Sequence, residues 1–284
     1  MSDHAVVSVA WLRANLDAPG IALLDASWHM PASGRSAHSE FLEVSLPGAG
    51  FFDIDQIADQ GSTLPHSCPS ADDFDLAMRA LGIRNSDFVV VYDSLGMFSA
   101  ARAWWLLRLF GHRRVAVLAG GLPAWQAQGL PTVPGAPPCA ASEPFSVQFN
   151  EQLIARFEDV VRAVDGDGSA LLDARSPGRF AGAEPEPRPG LASGHMPGAI
   201  NIPFNDVLDT DKGTLKSAEE LRLVFGGQLP QSGADVITSC GSGVTACVLA
   251  LALHTLGITA RVYDGSWCEW ASRAPDTIEL GGGS

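Results

Sequence analysis

A thiol held among glycines is the strongest chemical feature of the chain. The run Cys240-Gly241-Ser242-Gly243-Val244-Thr245-Ala246 joins an apolar segment, Val236-Ile237-Thr238-Ser239, to an uncharged helical segment from Thr245 to Leu256. Two glycines let such a loop curl until successive backbone N–H groups point inward, and the N-terminus of the following helix adds partial positive charge. An anion at the centre of that curl is stabilised. A cysteine there is therefore expected to be largely thiolate near neutral pH, a nucleophile that needs no neighbouring base. The plain alternative is a buried structural thiol, since free cysteine is among the most buried residue types. That alternative suits Cys247 and Cys68 better than Cys240, which stands among glycines.

A cysteine loop before a helix also serves phosphatases and arsenate reductases, but those close the loop with an arginine. No arginine occurs between Cys240 and Arg261, so a phosphate dianion would lack its bidentate partner. Only four residues separate Cys240 from Thr245, a length that suits a sulfur atom on the thiolate better than a tetrahedral oxyanion.

The rest of the composition narrows the field further. With 18 Lys+Arg against 32 Asp+Glu the formal net charge is -14, and the only lysines are Lys212 and Lys216, which disfavours nucleic acid and anionic membranes as partners. Five cysteines (Cys68, Cys139, Cys240, Cys247, Cys268) form an odd set with no Cys-x-x-Cys pair, which fits neither a disulfide framework nor a zinc ribbon. Free thiols and an N-terminus without a basic flank before an apolar core predict a soluble, cytoplasmic protein. The uncharged stretch from Val236 to Ala260 is interrupted by Ser-Cys-Gly-Ser-Gly and reads as strand, loop and buried helix, not as a membrane span. No metal site or nucleotide loop is visible, so no cofactor is expected.

The elements that must position Cys240 follow from a duplication. Ala22-Leu23-Leu24-Asp25-Ala26 returns as Ala170-Leu171-Leu172-Asp173-Ala174, and Pro47-Gly48-Ala49 returns as Pro197-Gly198-Ala199. Val89 to Tyr92 before a helical run from Ser99 to Phe110 is answered by Val236 to Thr238 before Thr245 to Leu256, and Gly120 to Trp125 is answered by Gly265 to Trp270. Short β-branched runs alternating with helical patterns predict an α/β architecture, two similar domains each with a mainly parallel sheet covered by helices on both faces. The boundaries expected are 1–135, a proline-rich semi-extended linker 136–150 (the proline-rich composition begins at Pro131), and 151–284. In such sheets ligands bind beyond the carboxyl ends of the strands, which is where Cys240 falls.

With these pieces in order, the chain resembles the tandem-domain rhodanese superfamily, in its 3-mercaptopyruvate sulfurtransferase branch. The resemblance covers almost the whole chain. It is carried by the Cys240 loop, Gly48 to Gln56, Gly178 to Gly194, Gly194-His195-Met196-Pro197-Gly198-Ala199, and Asp264-Gly265-Ser266-Trp267 followed by Glu269-Trp270. It implies that sulfur passes from a donor to Cys240 as a persulfide, then to a thiol or cyanide, within the second rhodanese-like domain. In the first domain the loop position holds Asp93 to Phe98 and no thiol, so that domain is expected to contribute structure and part of the pocket.

The resemblance also implies roles. Arg179 and Arg188 match the pair that holds the substrate carboxylate and carbonyl; on local sequence alone they read equally as a salt-bridge segment with Glu184 and Glu186. Ser242, His66 and Asp55 match a proposed Ser-His-Asp arrangement spanning the two domains, while Gly241, Gly243, Val244 and Thr245 complete the substrate-binding loop. Loop positions Gly241 and Ser242 are neutral where a thiosulfate enzyme is expected to carry basic residues, which favours 3-mercaptopyruvate as donor. Thiosulfate:cyanide transfer and a non-catalytic persulfide carrier or regulatory module remain as alternatives, and the acceptor is left open among thioredoxin, a small thiol and cyanide. His195, Asp25 and Asp173 are expected to be structural, Trp267 and Trp270 to be core, and Ser45 departs from the histidine usual before Leu46-Pro47-Gly48-Ala49, which puts that turn in question.

Overall fold

Burial on both faces explains why the strands are written as apolar runs instead of alternations. A computed structural model describes residues 5–136, 143–230 and 235–282. The chain divides into two units, one of Met1–Gln60, Cys68–Asn150 and Thr210–Thr214, the other of Gly61–Ser67, Glu151–Asp209 and Leu215–Ser284. The first unit carries strands β1 (Val6–Val7), β2 (Ile21–Asp25), β3 (Ala49–Phe51), β4 (Phe88–Tyr92) and β5 (Val115–Leu118), in the order β1-β5-β4-β2-β3 with every neighbouring pair parallel.

Five helices cover this sheet: α1 (Val9–Asn15), α2 (Ala37–Glu43), α3 (Ala71–Ala80), α4 (Ala100–Leu109) and α5 (Gly121–Ala127). Successive strand residues face opposite sides. Val90 and Tyr92 of β4 join a core with Leu12 of α1, Phe41 of α2 and Trp125 of α5, while the other face packs against α4, whose Phe110 cap stacks on Phe74 of α3 at 4.2 Å. Serine hydroxyls start three of these helices: Ser8 accepts from Trp11 N–H at 3.1 Å, Ser36 from Ser39 N–H at 3.2 Å and Ser70 from Asp73 N–H at 3.1 Å.

The second unit repeats the plan. Its strands β6 (Ile154–Ala155), β7 (Ala170–Asp173), β8 (Ile200–Asn201), β9 (Val236–Ser239) and β10 (Arg261–Tyr263) lie in the order β6-β10-β9-β7-β8, again all parallel. Its helices are α6 (Phe157–Val164), α7 (Pro177–Phe180), α8 (Ala218–Phe225), α9 (Ala246–Thr255) and α10 (Ser266–Arg273). Val160 of α6, Phe180 of α7 and Trp267 and Trp270 of α10 share a core with Leu171, Ile237 and Tyr263; α9 packs on the strands from the other side. Both tryptophans expected in the core are there. Helices α4 and α9 have no polar face because they are buried nearly all round. Among the described residues, no helix is long and apolar enough to cross a membrane.

Two features differ in detail from a reading of local sequence. The proline-rich stretch, of which residues 137–142 with Cys139 lie outside the described residues, is bonded to the first unit along its described parts. Gly135 N–H donates to Phe41 O at 3.0 Å, Phe145 N–H to the Asp75 carboxylate at 2.6 Å and Asn150 N–H to Leu109 O at 2.7 Å. Composition reports extension but not what the extended backbone pairs with. Ser45 keeps the turn that its histidine counterpart makes: Ser45 pairs with Val133 in an antiparallel bridge as His195 does with Glu279. In addition His195 Nδ1 meets Phe180 O at 2.9 Å and its ring stacks on Phe180, which is a structural post.

The duplicated strand ends diverge in charge. Asp173, at the end of β7, is buried against Arg175, whose guanidinium reaches it at 2.7 Å, and accepts Arg175 N–H at 2.9 Å. Asp25, at the end of β2, accepts Ser27 N–H at 2.9 Å, and Ser27 stands where the second unit has Arg175. Burial pushes the Asp25 carboxyl up to about 6, with the nearby Asp93 charge acting in the same direction. The folded chain therefore holds a proton that the unfolded chain, at the ordinary 3.8, has released. The associated stability is fully present below the unfolded value and is lost as pH rises through the folded one, a change of about 3 kcal/mol. Urea denaturation of Asp25→Asn from about pH 4 to about pH 7 is expected to lack this decline, which the unaltered protein shows.

Candidate functional site

The carboxyl ends of β4 and β9 hold equivalent loops, and the hydrogen bonds establish the equivalence. Leu122 N–H donates to Asp93 O at 2.9 Å, and Trp267 N–H donates to Cys240 O at 3.0 Å. In the first unit the Asp93 carboxylate accepts three backbone N–H groups, from Leu95 at 2.9 Å, Ser99 at 2.9 Å and Ala100 at 2.8 Å, the last two at the start of α4. The loop is thus built to enclose an anion, which in that unit is an aspartate side chain. In the second unit the same seat carries the Cys240 side chain, 2% exposed.

The Cys240 loop is tied down from several sides. Cys240 N–H donates to Ser266 Oγ at 3.2 Å, and that hydroxyl donates in turn to Tyr263 O at 2.8 Å, bridging the ends of β9 and β10. Ser266 does this from a left-handed backbone, φ 48°, at the position that Gly121 occupies with φ 53° in the first unit. Cys268 N–H donates to Gly241 O at 3.0 Å, and the Cys247 thiol to Gly243 O at 3.2 Å. Gly243 makes the turn with φ 80°, Val244 is buried, and Thr245 forms the N-cap position of α9 without a side-chain cap.

Both arginines singled out from the sequence reach this loop. A Cβ placed on Gly241 would lie 2.9 Å from Arg179 Nη2 and 3.9 Å from Arg188 Nη1, so glycine is what lets the guanidiniums approach the residue after Cys240. Arg179 also pairs with Glu186, Nη2 to Oε2 at 2.5 Å, so the salt-bridge alternative holds for it in part; Glu184 accepts from Ser176 instead. Glu186 binds Arg175 as well, at 2.8 Å, completing a chain Asp173–Arg175–Glu186–Arg179 whose first three side chains are all but inaccessible. The Arg175 guanidinium lies 4.2 Å above the Trp267 ring. Arg188 pairs with no carboxylate among the described residues and is half-buried.

His66 belongs to the segment Gly61–Ser67, which groups with the second unit. Its Nδ1 meets Ser242 Oγ at 3.0 Å and Ser242 O at 3.3 Å, and its backbone is left-handed, φ 60°. In the first unit, Asp55 is held by the Trp28 indole N–H, at 3.0 and 3.2 Å from its two oxygens. A reading of the sequence gives no role to Arg175, Ser266 or Cys268 and takes Glu186 only as a salt-bridge partner of the two arginines. Of the first three only Ser266 leaves a trace there, as the residue standing where the repeat has Gly121.

Comparisons with known proteins identify the family of the two units. The family model described as a rhodanese-like domain matches residues 8–128 and 157–273. The chain is 43% identical over 299 residues to the Arabidopsis thaliana protein named thiosulfate/3-mercaptopyruvate sulfurtransferase 1, mitochondrial, covering 98% of this chain and 79% of that one. It is 42% identical over 289 residues to human 3-mercaptopyruvate sulfurtransferase, covering 99% and 97%. A crystal structure of SseA from Escherichia coli, described as a 3-mercaptopyruvate sulfotransferase with the rhodanese fold, superposes with a TM-score of 0.84 at 38% identity, over 93% of this chain and 99% of that one. With a domain match in each unit and such relatives along nearly its full length, the chain belongs to the rhodanese-like domain family as a tandem member close to the 3-mercaptopyruvate sulfurtransferases.

Proposed function

We propose that the protein is a sulfurtransferase that takes sulfur from 3-mercaptopyruvate onto Cys240. The observation that carries the reading is the approach of two guanidiniums to Gly241, the residue after Cys240, in a loop that is itself neutral. In 3-mercaptopyruvate the carboxylate stands two carbons beyond the carbon that bears the thiol. Arg188, whose charge no carboxylate among the described residues neutralises, suits the substrate carboxylate; Arg179, half-neutralised by Glu186, suits the ketone. The Cys240 thiolate attacks the donor sulfur, a new S–S bond forms, and the C–S bond breaks with its electron pair passing into the enolate of pyruvate. Arginine and a hydroxyl near the ketone oxygen stabilise that developing charge.

Ser242 with His66 supports a proton path to the enolate, and the 3.0 Å contact between Oγ and Nδ1 is its basis. For Asp55 as third member the support is the resemblance alone. Gly241, Gly243, Val244 and Thr245 are assigned to the donor-binding loop on the same grounds. The persulfide then meets an acceptor: a thiol, R–SH, of thioredoxin or a small molecule leaves as R–S–SH, or cyanide leaves as thiocyanate, and either restores Cys240. The cytoplasmic setting rests on the cysteines, although the Arabidopsis relative is named as mitochondrial. A second donor, thiosulfate, enters because that same relative is named for both.

Pyruvate release from 3-mercaptopyruvate with a thiol acceptor, beside thiocyanate formation from thiosulfate and cyanide, tests the donor. Cys240→Ser is expected to abolish both while leaving the thermal transition in place; pyruvate release surviving that change would overturn the reading. Arg188→Ala is expected to lower kcat/KM for 3-mercaptopyruvate by about 100-fold, the value of a charged hydrogen-bonded pair. A persulfide carrier without small-molecule turnover predicts no such loss. Glu186→Gln is expected to destabilise the fold by about 3 kcal/mol, since it leaves buried Arg175 with one counter-charge, and to raise KM by freeing Arg179; urea denaturation and steady-state kinetics read the two effects separately.

A further inference from the structure

The transfer described above uses one thiol, yet a second is buried beside it. Cys268 is the third residue of α10, and the first turn of that helix is laid along the Cys240-Gly241 backbone. Trp267 N–H donates to Cys240 O and Cys268 N–H to Gly241 O, both at 3.0 Å. Cys240 is 2% exposed and Cys268 4%. Burial pushes the Cys268 thiol up, Arg188 and Arg179 pull it down, and the Cys240 sulfur and Glu186 raise it further. Cys268 is thus buried in the helical turn that is hydrogen-bonded to the Cys240 loop, and the charged groups that act on it are those gathered around that loop.

We propose that Cys268 is a resolving thiol that discharges the Cys240 persulfide when no external acceptor arrives. This rests on the reading of Cys240 as the sulfur carrier. Cys268 Sγ attacks Cys240 Sγ; the bond from Cys240 Sγ to the outer sulfur breaks, and its electron pair leaves with that sulfur as hydrosulfide. The proton of Cys268 completes hydrogen sulfide, so that Cys240–S–SH and Cys268–SH become Cys240–S–S–Cys268 and H2S. No outside oxidant is needed, because the outer sulfur is reduced as the two cysteine sulfurs are oxidised. Attack on the inner sulfur makes hydrosulfide the leaving group, whereas passage of the outer sulfur to Cys268 would only move the persulfide from one buried thiol to another. The guanidiniums of Arg179 and Arg188 favour departure of an anion at this place. A thiol or dithiol of the acceptor class then reduces the disulfide and returns both cysteines.

The burial that keeps Cys268 protonated also keeps this step slow, so a good acceptor intercepts the persulfide first. Loading the reduced, full-length protein with one equivalent of 3-mercaptopyruvate in the absence of any other thiol tests the idea. The unaltered protein is expected to release pyruvate and then sulfide in equal amounts, and to show a mass lower by two hydrogens with a Cys240–Cys268 linked peptide. Cys268→Ser is expected to release the same pyruvate, at least about tenfold less sulfide, and to gain one sulfur in mass that cyanide removes. Retention of that extra sulfur by the unaltered protein to the same extent as by Cys268→Ser would overturn the resolving role while leaving the transfer reading intact. Absence of pyruvate from the unaltered protein would overturn both. The linked peptide is read on the unaltered protein, so a variant that fails to fold does not shelter the proposal.

Discussion

A helix buried on every side must find partners for its first backbone N–H groups inside the protein, because water cannot reach them. Helices α4 and α9 are both of this kind. In the first unit the answer is the Asp93 carboxylate, wrapped by Leu95, Ser99 and Ala100. The second unit keeps the strand, the turn and the helix and puts a sulfur in the same seat. Much of the surrounding structure follows from serving that seat. Ser266 ties the Cys240 N–H to the end of β10, and the first turn of α10 pins the next two carbonyls.

Around this anion seat the two units distribute charge in opposite ways. The second unit invests in a buried relay, Asp173 to Arg175 to Glu186 to Arg179, which ends on a guanidinium at Gly241. Such a relay is costly to desolvate and gains its value from geometry, since each carboxylate fixes the fork of the next arginine. The first unit has Ser27 in place of Arg175, and its strand-end aspartate carries the cost of burial without a cation. In one half of the duplication the strand-end aspartate is thus paired with a buried guanidinium, and in the other burial holds the carboxyl above its usual range.

Much of the architecture was legible because repetition and apolar runs are local signals. Helical runs read as Ser99 to Phe110 and Thr245 to Leu256 appear as Ala100–Leu109 and Ala246–Thr255, and the run at Val236 forms the strand Val236–Ser239. The Cys240 loop was legible because glycine spacing between a strand and a helix has one geometric meaning. Arg179, Arg188 and His66 came from resemblance, as nothing in their own neighbourhoods says which loop they face. Arg175, and the pairing of Glu186 with it, stayed hidden because an ion-pair chain depends on where a segment folds back. Ser266 stayed hidden because serine rarely adopts a left-handed backbone and does so here for two hydrogen bonds.

The segment after the prolines sets where the chain tolerates a cut. Phe145 is 2% exposed, meeting Phe74 edge-on at 5.9 Å, and Phe149 meets Phe110 at 5.5 Å. Ser146 and Asn85 exchange two hydrogen bonds, at 2.7 and 2.9 Å. A protease or a gene division that separated the halves at the prolines would strip a wall from the first half and leave the buried Phe145 ring in water. The natural seam runs after Asn150, where the last of these bonds is made to Leu109.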